Sequence, residues 1–461
     1  MAHDAAAAPS PRWADPRPWA WVLAAMPAAL AVAELGRLHP DEVYQFLEPA
    51  YFRAHGYGIL AWEWRQGLRN WAAPLVLAAV MRVGGWVGIT DPWWVRGLLA
   101  VPLAVLQGWG LLAAARLGLR RAGWWGGWAA LLALGLLPVF RVVAGRTLGE
   151  ALSAALLVVA AEALSRDTGE RRAGLVGGLA LGLAFVVRYG SLPAMALAAV
   201  WLAAHRRWRL LAWAGTALLA VLLALGVLDW ASWGRPWHSL GAWAAFNVLS
   251  DGAAKTFGRE PASFYVPFLV GQVPLWVWPG LGLTLWLCRP GGGLGGTMAL
   301  AMLAALQTTA HKEQRFLYPV VVLLVLEAAP GLGALLRILR PSSARAAVAA
   351  LALVTTFRAA PPSVDLRGDQ FRALVRAARP LEVHGLLIVN EGLWGSGGFF
   401  YLGKRIPWLT CDWPQDGNFV TAMGDARFNR AISFEGRALG ELEAAGFRVI
   451  GQEGRETVLA R

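Results

Sequence analysis

Apolar runs punctuated by short polar connections dominate the chain up to about residue 357. They lie at roughly 19–35, 72–90, 95–115, 124–140, 147–164, 174–187, 191–204, 209–228, 265–287, 297–310, 315–329 and 346–357. A helix needs about 20 such residues to cross a bilayer, so the pattern predicts a polytopic α-helical membrane protein. The run at 72–90 is interrupted by Arg82 and Gly84-Gly85 and reads as a segment that dips into the membrane, leaving about 11 crossings, or 12 if it spans. After Phe357 the pattern changes: Leu386–Val389 and the pair Phe447–Ile450 and Thr457–Ala460, set among glycine-rich turns, predict a small α/β domain. The predicted domains are therefore 1–357 and 358–461.

Charge gives the helices a direction. Arg116, Arg120 and Arg121; Arg166, Arg171 and Arg172; Arg206, Arg207 and Arg209; and Arg337, Arg340 and Arg345 cluster in short connections, which the positive-inside rule places in the cytoplasm. The long connections 37–94 and 229–264, the shorter ones at 141–146 and 311–315, and the tail then face outward. The tail holds 13 basic and 12 acidic residues, so almost all of the formal charge of +13 belongs to the apolar part. A charge placed there is explained by orientation and anionic ligands, not by nucleic acid. With 57% hydrophobic and 15% charged residues a soluble or disordered chain is excluded, and the two cysteines, Cys288 and Cys411, cannot build a disulfide framework.

The chemistry gathers in the outward stretches. His39-Pro40-Asp41-Glu42 is followed by Gln45, Glu48-Pro49 and Trp62-Glu63-Trp64, a run of carboxylates beside a membrane that must be solvated, paired or used. Pairing with Arg37, Arg53, Arg65 and Arg69 is an equal alternative to a catalytic role. His311-Lys312-Glu313-Gln314-Arg315 forms a polar belt between two apolar segments, suited to an anionic headgroup, where single basic residues would only snorkel. Arg146 and Arg188 add cations to the same predicted face. Asn247 lies in an aromatic stretch suited to a sugar or headgroup surface, although its composition alone favours a plain amphipathic interfacial helix.

Taken together these residues resemble glycosyltransferase family 22, in the GT-C class. His39-Pro40-Asp41-Glu42, Gln45, Glu48-Pro49, Trp62-Glu63-Trp64, Arg69, Trp71 and Pro74 carry the first half of the likeness, and His311-Lys312-Glu313-Gln314-Arg315-Phe316 the second. Asp229, Gly234, Phe246-Asn247-Val248-Leu249 and Phe257-Gly258 are similar to the second outer loop of its mannosyltransferases, most closely those of GPI-anchor assembly. Ala61, Asn70 and Gln314 depart from the usual pattern.

The resemblance implies a GT-C-like fold and inverting transfer of a hexose, typically mannose, from a polyprenyl-phosphate sugar to a lipid-linked or glycan acceptor. It implies Asp41 as base, with Glu42 second, and Lys312, Arg315, His311, Arg188 and Arg146 around the donor phosphate. His39, Gln45, Glu48, Trp62, Glu63, Trp64 and Asn247 would shape the loops or the acceptor site, with no metal and no cofactor. The acidic pair and the basic belt would serve one outward-facing cleft. A different lipid-linked donor, or a lipid-linked sugar transporter or flippase, is the alternative. Its partners would be those two substrates and membrane lipids. An Ala/Arg/Gly-rich composition without glycosylation sequons points to a bacterial inner membrane with a periplasmic active face, or to the ER membrane in a eukaryote.

Overall fold

A computed structural model describes residues 15–288, 293–361, 366–392, 396–414 and 417–461. Among them, each apolar run of the sequence corresponds to helix, from Trp19–Glu34 to Ser342–Arg358. Among the described residues three helical stretches, Pro92–Gly135, Trp208–Trp233 and Gln314–Ile338, are long and apolar enough to cross a membrane, and Ala262–Gln272 with Val277–Leu287 is an apolar pair bent by 82°, a broken span or a re-entrant loop. The others are shorter. The run at 72–90 is the 15-residue helix Ala72–Trp86.

Pro92–Gly135 is in truth two helices. Ala122 and Gly123 leave helical geometry, Gly123 at a φ of 65°, and a Cβ on Gly118 would lie 2.1 Å from the Gly126 carbonyl oxygen. Eight residues of straight helix would separate them by about 12 Å, so the chain doubles back here. The two apolar runs and the Arg-bearing turn between them are thus both explained.

The chain divides into two compact units. One comprises 1–28, 103–145 and 149–362 and is built from helices. Glycines let its helices approach closely: Gly174, Gly178 and Gly182 on Glu170–Val187 meet Trp213, Ala214 and Val221 of Trp208–Trp233. Its Arg-rich connections share one end. Arg120 and Arg166 both bind Glu162, Arg207 donates to the Leu164 and Arg166 carbonyls, and Arg345 lies over the Trp125 ring. That is the arrangement a common membrane face requires.

The second unit comprises 29–102, 146–148 and 363–461. Its sheet contains β1 (Leu386–Val389), β2 (Trp408–Cys411), β3 (Arg430–Ser433), β4 (Arg448–Glu453) and β5 (Glu456–Ala460), in the order β2-β1-β3-β5-β4. β1 pairs in parallel with β2 and β3, while β5 runs antiparallel to β3 and β4. Leu387, Val389, Ala431 and Leu459 are buried against Phe419, Phe428, Leu442 and Phe447 from the flanking segments. The sequence pattern predicts β1 and the terminal hairpin; β2 and β3 are of the same four-residue length as β1 but carry Thr410, and Arg430 with Ser433, where β1 is an unbroken apolar run.

This unit joins the first outer loop to the tail. Arg37 N–H donates to the Leu366 carbonyl at 2.8 Å, and the Tyr401 hydroxyl to the Leu35 carbonyl at 3.0 Å. Gly36 is required at that crossing, because a Cβ would lie 1.9 Å from the Leu366 carbonyl oxygen.

Candidate functional site

In the sheet-bearing unit, Pro40 and Pro49 bracket the helical turn that carries the acidic motif. Pro49 has no N–H to give the ladder, and the Glu48 N–H reaches past a normal turn to the Val43 carbonyl, so Glu42–Leu47 winds as a π-helix. This turn sends the two neighbouring carboxylates in different directions.

Glu42 is fully buried. Its Oε1 accepts from Arg96, its Oε2 accepts from the Leu38 N–H at 3.0 Å, and Arg146 stands 4.0 Å from Oε2. Asp41, one residue earlier, keeps its side chain 20% exposed, with Oδ1 3.3 Å from His39 Nδ1. His39 also accepts the Asp41 N–H at 3.2 Å, which places the ring beside that carboxylate.

The other first-loop residues frame this turn. Trp64 donates from Nε1 to the Tyr44 carbonyl at 3.0 Å and packs on Trp71. Arg69 donates to Glu63 at 2.6 Å, Gln45 is buried on the π-helix, and Trp62 is half-buried at the start of Trp62–Arg65. Glu48 is fully buried, with Oε1 accepting the Phe400 N–H at 2.5 Å and Oε2 the Ile59 N–H at 2.7 Å. Burial pushes its carboxyl up to about 7, against the opposing pull of the N–H groups.

Arg146 falls in this same unit. Its guanidinium donates to the Gly36 carbonyl at 2.7 Å and to Glu34 at 2.8 Å, so it braces the entry to the acidic turn. Arg96 was not picked out from the sequence, although a single arginine inside an apolar run is a signal in itself.

In the helical unit a second cluster forms at the end opposite the Arg-rich connections. Glu150 and Glu162 lie near the two ends of Gly149–Leu164, about 18 Å apart along the helix. Buried Glu150 accepts from Arg188 and stands 3.2 Å from Arg315, two arginines far apart in the chain. Arg315 also pairs with Glu313 at 2.6 Å, and both guanidiniums lie over the Phe316 ring. His311 contacts Glu313 at 3.1 Å and the Gly258 carbonyl at 3.3 Å; the Glu313 carboxylate holds its imidazolium above the usual histidine range. Lys312, buried, donates to the Thr309 carbonyl.

Nearby in the fold, Asp229 accepts the Ser239 N–H at 2.8 Å and its hydroxyl at 2.5 Å, and Tyr189 meets that hydroxyl at 2.6 Å. Asn247 donates to the Trp243 carbonyl at 3.0 Å within the π-turn Ala245–Leu249. The belt, Arg188 and the second loop are therefore brought to one end of the unit. Sequence spacing alone had not selected Glu150 and Glu313 as the carboxylates that organise it. Arg188 and Arg315 face Glu150, Arg315 also meets Glu313, and Lys312 lies in the same belt on the Thr309 carbonyl. Arg188 Nε is a buried N–H with no acceptor among the described residues.

A family model described as the Alg9-like mannosyltransferase family matches residues 19–362. Among curated proteins the chain is similar to GPI mannosyltransferase 3 of Yarrowia lipolytica, 31% identical over 325 residues that cover 67% of this chain and 61% of that one. It also resembles GPI alpha-1,2-mannosyltransferase 3 of Xenopus laevis, 39% identical over 69 residues, covering 15% of this chain and 13% of the relative. The aligned parts thus span less than two thirds of these relatives. Of solved structures, ArnT from Cupriavidus metallidurans bound to undecaprenyl phosphate superposes with a TM-score of 0.63 at 14% identity, covering 97% of this chain and 98% of that chain. Its apo state gives 0.55 at 16% identity, covering 95% and 97%. At such identities the likeness is one of fold, and the fold is GT-C-like.

Proposed function

Since the chain belongs to the Alg9-like mannosyltransferase family, we propose that it is an inverting glycosyltransferase that moves a hexose, in the first instance mannose, from a polyprenyl-phosphate sugar to a lipid-linked or glycan acceptor on the outer face of a membrane. The observation that carries this reading is the convergence of Arg188 and Arg315 on buried Glu150, with Lys312 in the same belt and the Arg188 Nε proton unspent. Clustered cations, with one buried N–H that has no acceptor among the described residues, suit the charge of a phosphodiester. The relatives' names supply the mannosyl preference, and the undecaprenyl phosphate bound by ArnT supports a polyprenyl-phosphate donor.

In this reading the acceptor hydroxyl attacks the anomeric carbon from the side opposite the phosphate. The new C–O bond forms as the bond from carbon to the phosphate oxygen breaks, and the polyprenyl phosphate leaves with the electron pair. Asp41 takes the hydroxyl proton. Glu42 is less suited, since Arg96 and the Leu38 N–H occupy its oxygens. Arg188, Arg315 and Lys312 hold the phosphate charge that develops on the leaving group, so no acid need protonate it. His311 orients Glu313, and Arg146 supports the acidic turn.

The test uses the purified full chain in lipid with a radiolabelled polyprenyl-phosphate hexose and candidate acceptors. Asp41→Asn is expected to lower transfer by about 10²- to 10⁴-fold with donor binding retained. Lys312→Ala is expected to weaken donor binding instead. Near-normal turnover in the first variant would remove Asp41 as base, and an unchanged donor dependence in the second would remove the phosphate role.

A further inference from the structure

The sheet-bearing unit contains a cavity of about 140 Å³ whose lining includes Tyr51, His55, Tyr57, Met81, Thr90 and Phe400. It stands apart from Asp41 in the roles assigned above, and its construction is specific. The helix Glu48–His55 ends on Gly56 at a φ of 80°, and the chain then turns back so that the Tyr57 hydroxyl meets the Tyr51 hydroxyl at 2.8 Å. The two rings cross at 86° with centroids 5.4 Å apart. His55 lies on Tyr51 at 4.2 Å, and Phe400 presents its edge to Tyr51 at 6.3 Å. The Phe400 N–H is held by Glu48, so the wall contributed by the tail is anchored to the first loop.

From these features we infer that the pocket binds one neutral pyranose ring, as the sugar end of the acceptor. An apolar cavity of about 150 Å³ holds a benzene, so this volume suits the ring of one sugar with its exocyclic hydroxyls at the open mouth, and no larger glycan. Its floor is buried and aromatic or apolar, at Tyr51, Met81 and Phe400, while His55 and Thr90 stand exposed at its mouth. Aromatic faces suit the C–H face of a sugar, and polar tips at one rim suit its hydroxyls. The two tyrosine hydroxyls use one proton between them, leaving the other free to donate. None of the described lining residues carries a fixed charge. Burial and the Arg82 charge also hold the His55 imidazole below its usual range, toward the neutral form. The nearest cations, Arg82 beside His55 and Arg405 over the Tyr57 ring, stand behind the lining and not in it.

That the ring belongs to the acceptor rests on the glycosyl-transfer reading; that the pocket takes a neutral pyranose does not. Methyl α-D-mannopyranoside and methyl α-D-glucopyranoside are the probes, with binding to the full chain in nanodiscs followed by saturation-transfer NMR and titration. Saturable binding is expected, weakened about fivefold or more by Tyr57→Phe, which deletes one hydroxyl and keeps the ring, and blocked by Thr90→Trp, which fills the exposed mouth. Both variants should unfold at the wild-type midpoint. Absence of saturable binding by the wild type, or binding unchanged in both variants, overturns the proposal. Asp41→Asn should bind the probes normally. Should the wild type bind them yet transfer no hexose, the pocket stands and the transferase reading falls.

Discussion

Asp41 and Glu42 are adjacent acids in the same motif, and their surroundings separate them. The exposed fraction of Asp41 leaves it accessible to a substrate hydroxyl, whereas Glu42 neutralises Arg96, itself 1% exposed. Removing one partner of a buried pair strands the other charge at a cost of about 3–5 kcal/mol. Glu42→Gln should therefore lower the unfolding midpoint in a denaturant titration followed by tryptophan fluorescence, while Asp41→Asn leaves it in place. An equal loss of stability in both would contradict this division. The motif was visible in the sequence, and so was the choice between pairing and catalysis. Which acid does which depends on Arg96, whose position opposite Glu42 is a product of folding. The same holds for Arg146, a cation expected near donor phosphate and found bonded to Glu34 and the Gly36 carbonyl.

At the scale of elements, hydrophobic runs marked the helices well because lipid and a packed interior both demand apolar surface and satisfied backbone groups. They marked the breaks less well. The turn at Gly123 falls where the runs 95–115 and 124–140 part, but the bend at the Pro274 region lies inside 265–287, which an apolar window reads through. Helix contacts are set by glycine spacing, and Gly178 gives the sharpest case: a Cβ there would sit 2.0 Å from the Ala214 carbonyl oxygen, which as backbone cannot swing aside. Gly178→Leu should prise Glu170–Val187 from Trp208–Trp233, lowering the yield of folded protein in detergent and raising protease sensitivity in the 166–209 connections. Wild-type yield and cleavage pattern would show that the helices are free to adjust.

For the whole molecule, the sheet-bearing unit sets a pH dependence. Glu48 and Glu456 are fully buried, and burial is the first cause that raises each carboxyl to about 7; for Glu456, Glu391 and Asp369 add to it against the opposing pull of Arg455, 3.6 Å from Oε1, and among the described residues neither of its oxygens accepts a hydrogen bond. In the unfolded chain both would titrate near 4.5. Between about 4.5 and about 7 the folded state therefore binds more protons than the unfolded one, and stability falls as pH rises through that window. Thermal unfolding of the purified protein at pH 5, 6, 7 and 8, values chosen about that window, should show this decline. Glu456→Gln, which stays neutral, should flatten it and raise the midpoint at the alkaline end. A variant as pH-sensitive as the wild type would remove Glu456 from the account.

That unit also marks the limit of reading along a chain. Composition and periodicity determined the membrane class, the helical runs, the α/β character of the tail and the motifs that carry the family likeness, because each depends on neighbours close in sequence. Only tertiary structure decided that the first outer loop and the tail share one compact unit, that Glu48 is a buried acceptor for Phe400 N–H, and that Arg188 and Arg315 meet on Glu150. Those pairings join residues distant in the chain, and they arise because a buried charge or N–H must find a partner wherever packing places one.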